Sequence, residues 1–461
     1  MVLVLTVVVL QSISFANYAL TTTTTNIIYG SAPYLTFDGG RTRVTNTEAL
    51  LGISLSDGRA FTPTNNSSID NPIELPVAGQ SFNDIGMLVP RDTDSIALSS
   101  LIGTPYNYWG DDDGDGQGVN GVTATGSLNL SIVDNFNNPV TRNEVLNICR
   151  APYKLTLSNG SGRLTTRYGV PNESRFTASN ATYYINPKAS PVICFAKPSL
   201  LKVSHNNTAG PVNIWNPEKG FLTQSVTPSS YGLNFPTTGA NNLFFDLDIV
   251  GVSQALSWAP VSHAGITATM TDSTSTGVRV TLTGPFATYS QQQSERNGIA
   301  SPSLPQVFEL VGRDSSGNAV VKYGFKLKQW FVNRGHYRSD YYKMAVWCSY
   351  HIPEVKDLTN ASCQGAYSGP HCQGAEGARP SSPDNHYRRH IGGGLFSEWG
   401  VMTYYTGADF INGINNDWVY WSVIINRPNS LYDTNYVIVS NGGLISTKES
   451  RRSYFGLCVY P

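Results

Sequence analysis

The run Asp111-Asp112-Asp113-Gly114-Asp115-Gly116 sets carboxylates at alternate positions ahead of a glycine. In such a D-x-D-x-D-G loop the side-chain oxygens converge on calcium while the glycine permits a sharp turn. The bidentate Glu of a complete EF-hand loop is missing, because position 12 is Val122. Asp111, Asp113 and Asp115 therefore point either to a structural calcium in a loop of another kind or to a solvated acidic turn. Gly116, Gly118 and Gly121 then match G-x-G-x-x-G. Four aspartates precede them and a strand follows, where pyrophosphate binding needs a strand before and a helix N-terminus after, so nucleotide is excluded. His371, Cys372, His386 and His390 have the residue types of a zinc site, although a disulfide at Cys372 accounts for the cluster equally well. No G-x-S-x-G, H-E-x-x-H or Walker sequence occurs. Of eleven Glu, Glu398 beside Trp399 is the one whose neighbours are apolar enough to perturb a carboxyl, and a core-edge role is the simpler reading. The chain is expected not to be an enzyme, and none of its motifs requires a cofactor.

A binding surface is the chemistry that remains. His386, Tyr387, Arg388, Arg389 and His390 form a basic patch beside the flexible Gly392-Gly393-Gly394. Trp399, Tyr404, Tyr405, Trp418 and Trp421 are candidate anchors, because Trp, Tyr and Arg dominate interface hot spots. The competing assignment for about half of these rings is the core.

The elements that position these residues are mostly strands. Charged residues are only 14% of the 461 positions, against roughly 25% in an average soluble domain, and Ser, Thr, Asn and Gly take their place. Lys plus Arg (31) nearly cancels Asp plus Glu (32), so nucleic acid is not an expected partner. Residues 27–200 read as a β-rich domain, with Leu128, Leu130 and Ile132 in alternation. Residues 201–318 read as an immunoglobulin-like β-sandwich, on the alternation of Phe245, Leu247 and Ile249 and of Val278, Val280 and Leu282. Residues 319–461 read as α+β. A strand presents Val321, Tyr323, Phe325 and Leu327, and Ser339 or Asp340 caps a helix carrying Met344, Ala345 and Cys348. Long loops and a final strand through Cys458 complete it.

The N-terminal apolar run, ending in Ser14-Phe15-Ala16, reads as a signal peptide over residues 1–16, followed by a Thr-rich spacer over 17–26. Secretion is the expectation. Six cysteines suit an oxidising compartment, and fifteen pairings are open. Loop arithmetic favours Cys149 with Cys194; Cys363 with Cys372 would close a short loop, and Cys348 with Cys458 would span the C-terminal domain.

The segments Asn234-Phe235-Pro236-Thr237-Thr238-Gly239-Ala240, Ser257-Trp258-Ala259-Pro260 and Phe308-Glu309-Leu310-Val311-Gly312-Arg313 resemble the enterobacterial adhesion domain of the intimin and invasin type. So does Lys328-Gln329-Trp330-Phe331-Val332-Asn333-Arg334-Gly335. Cys149-Arg150-Ala151-Pro152-Tyr153 and Tyr183-Tyr184-Ile185-Asn186-Pro187 are similar to exported passengers of the Zir-type system. The resemblance implies immunoglobulin-like modules followed by a C-type-lectin-like domain, with Cys348–Cys458 matching the family's helix-to-last-strand disulfide. It also implies an adhesin that binds a host or cell-envelope protein, exported by a separate outer-membrane intimin-like barrel. A carbohydrate-binding lectin is the alternative and a secreted hydrolase the third reading. The E-P-N of sugar-binding lectins is missing, and Asn415-Asn416-Asp417-Trp418 has related residue types in another order, which favours protein over sugar.

Overall fold

The computed structural model describes residues 29–114, 121–201, 209–349, 351–410, 418–425 and 433–461. The signal-peptide and spacer assignments lie outside the described residues. By contacts the chain divides into two compact units, Met1–Leu146 with Arg150–Lys188, and Asn147–Cys149 with Ala189–Pro461. Among the described residues no helix is long and apolar enough to cross a membrane.

In the first unit, apolar residues at every second position, mostly leucine and isoleucine, build one face of a five-stranded sheet. Its order is Ile73–Glu74, Ser179–Asn186, Tyr153–Asn159, Ser127–Val133, Ser95–Ala97. Leu128, Leu130 and Ile132 all turn inward from Ser127–Val133, and Leu155, Leu157, Tyr183 and Ile185 meet them. A second, three-stranded sheet runs Glu173–Phe176, Gly162–Thr166, Val122–Thr125.

The second unit carries a seven-stranded sheet in the order Trp215–Asn216, Gly220–Leu222, Val192–Lys197, Leu243–Val250, Gly277–Thr283, Ile266–Thr271, Val261–His263. Phe245, Leu247 and Ile249 alternate inward along Leu243–Val250, as Val278, Val280 and Leu282 do along Gly277–Thr283. The facing sheet is Ser257–Trp258, Gln306–Arg313, Ala319–Leu327. Phe308 stacks on Phe325 with centroids 5.1 Å apart, and Phe245 meets Phe325 edge-on at 6.0 Å, so the two sheets share one apolar layer. The strand Ala319–Leu327, which carries Val321, Tyr323, Phe325 and Leu327, pairs with Gln306–Arg313 along its length and is thus a sandwich strand.

Gln329–Asn333 then leaves the sandwich and pairs in parallel with Thr238–Ala240 and antiparallel with Leu457–Tyr460. The helix Tyr341–Trp347 follows. Its N-cap is Asp340, whose carboxylate accepts from the Lys343 N–H at 2.9 Å, and it buries Met344, Ala345 and Trp347. Cys348, at its C-terminal end, bonds to Cys458 on the last strand, and the other disulfides are Cys149–Cys194 and Cys363–Cys372. A further antiparallel sheet, Val419–Ile425, Thr434–Val439, Ile445–Glu449, completes the region. The architecture is mainly β, with a two-sheet sandwich in the second unit followed by an α+β C-terminal part.

Candidate functional site

The basic patch expected on the surface is folded largely inward. Tyr387 and Arg389 are 1% and 3% exposed, and His386 is buried with its ring 4.7 Å from that of Tyr367. Burial lowers the His386 pKa, with Asp384 opposing the shift. The Arg389 guanidinium lies over the rings of Trp215 and Phe221, at 4.2 and 5.4 Å, and donates from Nη2 to the Ser199 carbonyl at 3.2 Å. Burial also depresses its pKa. It acts as a packing cation, because a guanidinium is weakly hydrated and stacks on aromatic faces. Of the patch, Arg388 and His390 are half-buried, and Arg388 stands 3.7 Å from Asp384.

The aromatic anchors divide in the same way. Trp399 and Tyr405 are core residues: the Trp399 indole donates to the Thr238 carbonyl at 3.0 Å, and the Tyr405 hydroxyl donates to the Trp399 carbonyl at 2.7 Å. Tyr404 is 38% exposed, Trp418 is half-buried and Trp421 is fully buried. An open patch built from His386, Tyr387, Arg389, Trp399 and Tyr405 is therefore corrected: these side chains hold the loop region together from inside.

Glu398 explains why. It is fully buried on the helix Leu395–Trp399 and accepts from the N–H and hydroxyl of Thr237, the N–H and hydroxyl of Thr238, and the N–H of Gly392. A carboxylate with its lone pairs filled by five donors can stay in a dry interior. The expected core-edge residue is in fact a central staple. Its nearness to Trp399 in sequence was the available signal; its four threonine donors, about 160 residues earlier, left none.

Cys372 is bonded to Cys363, so it is no zinc ligand. In the acidic loop, Asp113 accepts from the Ser31 N–H at 2.6 Å, while Asp112 accepts from the Tyr34 hydroxyl at 3.1 Å and pairs with Arg43. These two carboxylates are thus engaged by protein donors. Asp111 is half-buried, and Asp115 lies outside the described residues. Among the described residues no group of three or more His, Cys, Asp or Glu is arranged to hold a metal.

One open site in the second unit was not foreseen. A groove of about 490 Å³ is lined by Glu295, Arg334, Tyr337, Tyr342, Lys343 and Val346, among others. Tyr337 and Tyr342 are 40% and 45% exposed, whereas Arg334 is 3% exposed. The Arg334 guanidinium sits between the rings of Tyr337 and Trp347, at 4.5 and 4.9 Å. It donates to the carbonyls of Gln292 and Ser294 and to the Ser339 hydroxyl, at 2.8, 3.1 and 3.2 Å. Burial pushes its pKa down to about 10. The groove thus combines a fixed, buried cation with two exposed phenols. Its sequence signal is the Arg334 to Tyr342 stretch, rich in Arg and Tyr.

No family model matches the chain, and no curated protein matches it in sequence. Solved structures do show likeness. An intimin–Tir90 complex matches at 13% identity over 49% of this chain and 88% of that one, with a TM-score of 0.28. The C-terminal 282-residue fragment of intimin, in complex with the intimin-binding domain of its translocated receptor, matches at 11% identity over 73% and 93%, with a TM-score of 0.31. The Bacteroides ovatus glucan-utilization protein SGBP-B, in complex with a mixed-linkage heptasaccharide, matches at 12% identity over 48% and 66%, with a TM-score of 0.16. At these values each is a resemblance, and no residue role is carried over from any of them.

Proposed function

We propose that this chain is an exported adhesin-like protein that acts by binding, and that its C-terminal region recognises a host or cell-envelope protein. Export in this reading uses a separate outer-membrane barrel and leaves the chain surface-bound or released. The β modules before the C-terminal region serve as spacers.

The groove at Arg334, Tyr337, Tyr342 and Lys343 carries the reading. Tyr and Arg supply most of the energy of protein interfaces. Here Tyr342 and Lys343 stand on the helix Tyr341–Trp347, whose end is tied by Cys348–Cys458 to the last strand, and Arg334 is held by three hydrogen bonds, so less freedom remains to be lost on binding. The adhesin resemblance of residues 328–335 runs directly into this groove.

The test is binding of the purified chain to cultured host cells and to bacterial envelopes, each pretreated with protease or with glycosidases. Protease-sensitive, glycosidase-resistant binding that Y337A/Y342A weakens about tenfold or more supports the reading. Binding that survives protease, or that a chelator abolishes on one sugar class of a glycan array, rejects it in favour of a lectin.

A further inference from the structure

The N-terminal unit holds a second pocket, of about 430 Å³, lined by Phe37, Arg91, Asp92, Tyr106, Tyr108 and Arg142 among others. Arg142 is 8% exposed. Its Nη1 donates to the carbonyls of Val89 and Pro90, at 3.0 and 2.5 Å, which fixes the plane of the guanidinium. The opposite edge is unused. Nε is buried with no hydrogen-bond partner, and among the described residues neither Nε nor Nη2 has a protein acceptor and Arg142 has no ion pair. Burial lowers its pKa, against the attraction of Asp94 and Asp92 and with the repulsion of Arg91.

Arg150 of the same unit is, by contrast, held by carboxylates. It is half-buried and pairs with both Asp134 and Glu144 at 2.8 Å. Arg142 is more buried and lacks such a partner. The Nε and Nη2 edge is the side-on fork that matches the two oxygens of a carboxylate.

The rest of the pocket selects what bears that carboxylate. The Tyr106 and Tyr108 rings, 5.6 Å apart and tilted by 50°, offer faces on which the C–H groups of a saturated ring can lie. At the rim the Asp92 carboxylate, which accepts from the Tyr106 hydroxyl at 2.9 Å, and Arg91 supply an acceptor and donors for hydroxyl groups. A volume of this size takes one or two sugar rings and is small for a folded partner.

We infer that this pocket binds an acidic sugar, with its carboxylate on the Nε and Nη2 edge of Arg142 and its ring against Tyr106 and Tyr108. The site is independent of the groove at Arg334.

Calorimetric titration of the intact protein with methyl β-D-glucuronide, methyl β-D-glucoside and benzoate tests it. The expected result is saturable binding of the glucuronide, with the glucoside about tenfold weaker or more, since it leaves the fork unpaired. Benzoate is expected to be weaker than the glucuronide. R142K, which keeps the charge but loses the fork, and Y106A, at a partly exposed ring, are each expected to weaken the glucuronide about tenfold. Should R142K fail to fold, Y106A decides. No binding of any probe, equal binding of glucuronide and glucoside, benzoate binding as tightly as the glucuronide, or unchanged binding by Y106A would each overturn the inference.

Discussion

Glu398 accepts from both the backbone N–H and the hydroxyl of Thr238, at 2.9 and 2.6 Å, across 160 residues of sequence. Thr238 begins the short strand Thr238–Ala240, which pairs with Gln329–Asn333. One carboxylate thus fixes the helix Leu395–Trp399 to the sheet that also receives the C-terminal strand. Trp399 strengthens the same joint by donating to the Thr238 carbonyl.

Glu398→Gln keeps the shape but turns an amide N–H₂ toward groups that themselves donate. A loss of about 2–4 kcal/mol is expected, because buried donors are left unpaired or opposed. Denaturant unfolding measures it, and a loss within about 0.5 kcal/mol would contradict the staple.

Arg389→Ala should lower stability by about 2–4 kcal/mol through lost stacking on Trp215 and Phe221 and an unpaired Ser199 carbonyl. Arg388→Ala, at a half-buried position with a 3.7 Å ion pair, should cost less than about 1 kcal/mol. Thermal midpoints of the two variants compare them directly, and similar midpoints would refute the inward placement of Arg389.

Removing the Cys348–Cys458 crosslink with paired serines should cost about 4–5 kcal/mol on chain-entropy grounds, since it closes a separation of 110 residues. The Cys363–Cys372 crosslink spans nine residues and should be worth about 2–3 kcal/mol. Unfolding of each double-serine variant ranks them, and peptide mapping of the non-reduced protein checks the pairings.

His386 gives a pH signature. Its folded pKa lies below the unfolded value of about 6.5, because burial disfavours the imidazolium. Above about 6.5 both states are neutral and its contribution is fully present. As the pH falls below that value the unfolded chain takes up a proton that the folded chain resists, and stability declines until the folded pKa is passed. Stability measured between about pH 7 and 5 should fall with a slope that His386→Asn reduces. An unchanged slope would show that His386 is not responsible.

Several elements were legible because their causes are local. Side chains alternate across a strand with period two, so Phe245, Leu247 and Ile249, and Val278, Val280 and Leu282, declared an inward face without reference to their partners. Asp340 caps its helix through a donor three residues on. The favoured cysteine pairs are the pairs the chain makes, two of them joining elements whose ends the pattern already marked.

Residue type alone determined that this is a β-rich chain with an even number of cysteines and nearly balanced charge. Only the tertiary structure decided which cations face solvent. Arg389 stands in a loop whose composition suggests exposure, yet Trp215 and Phe221, more than 160 positions earlier, cover it. Arg142 is pinned by carbonyls more than 50 residues away, and among the described residues no carboxylate closes an ion pair on its other edge. Burial and pairing depend on what packs against a side chain, and in a fold built from long-range strand pairings that neighbour is rarely a neighbour in sequence.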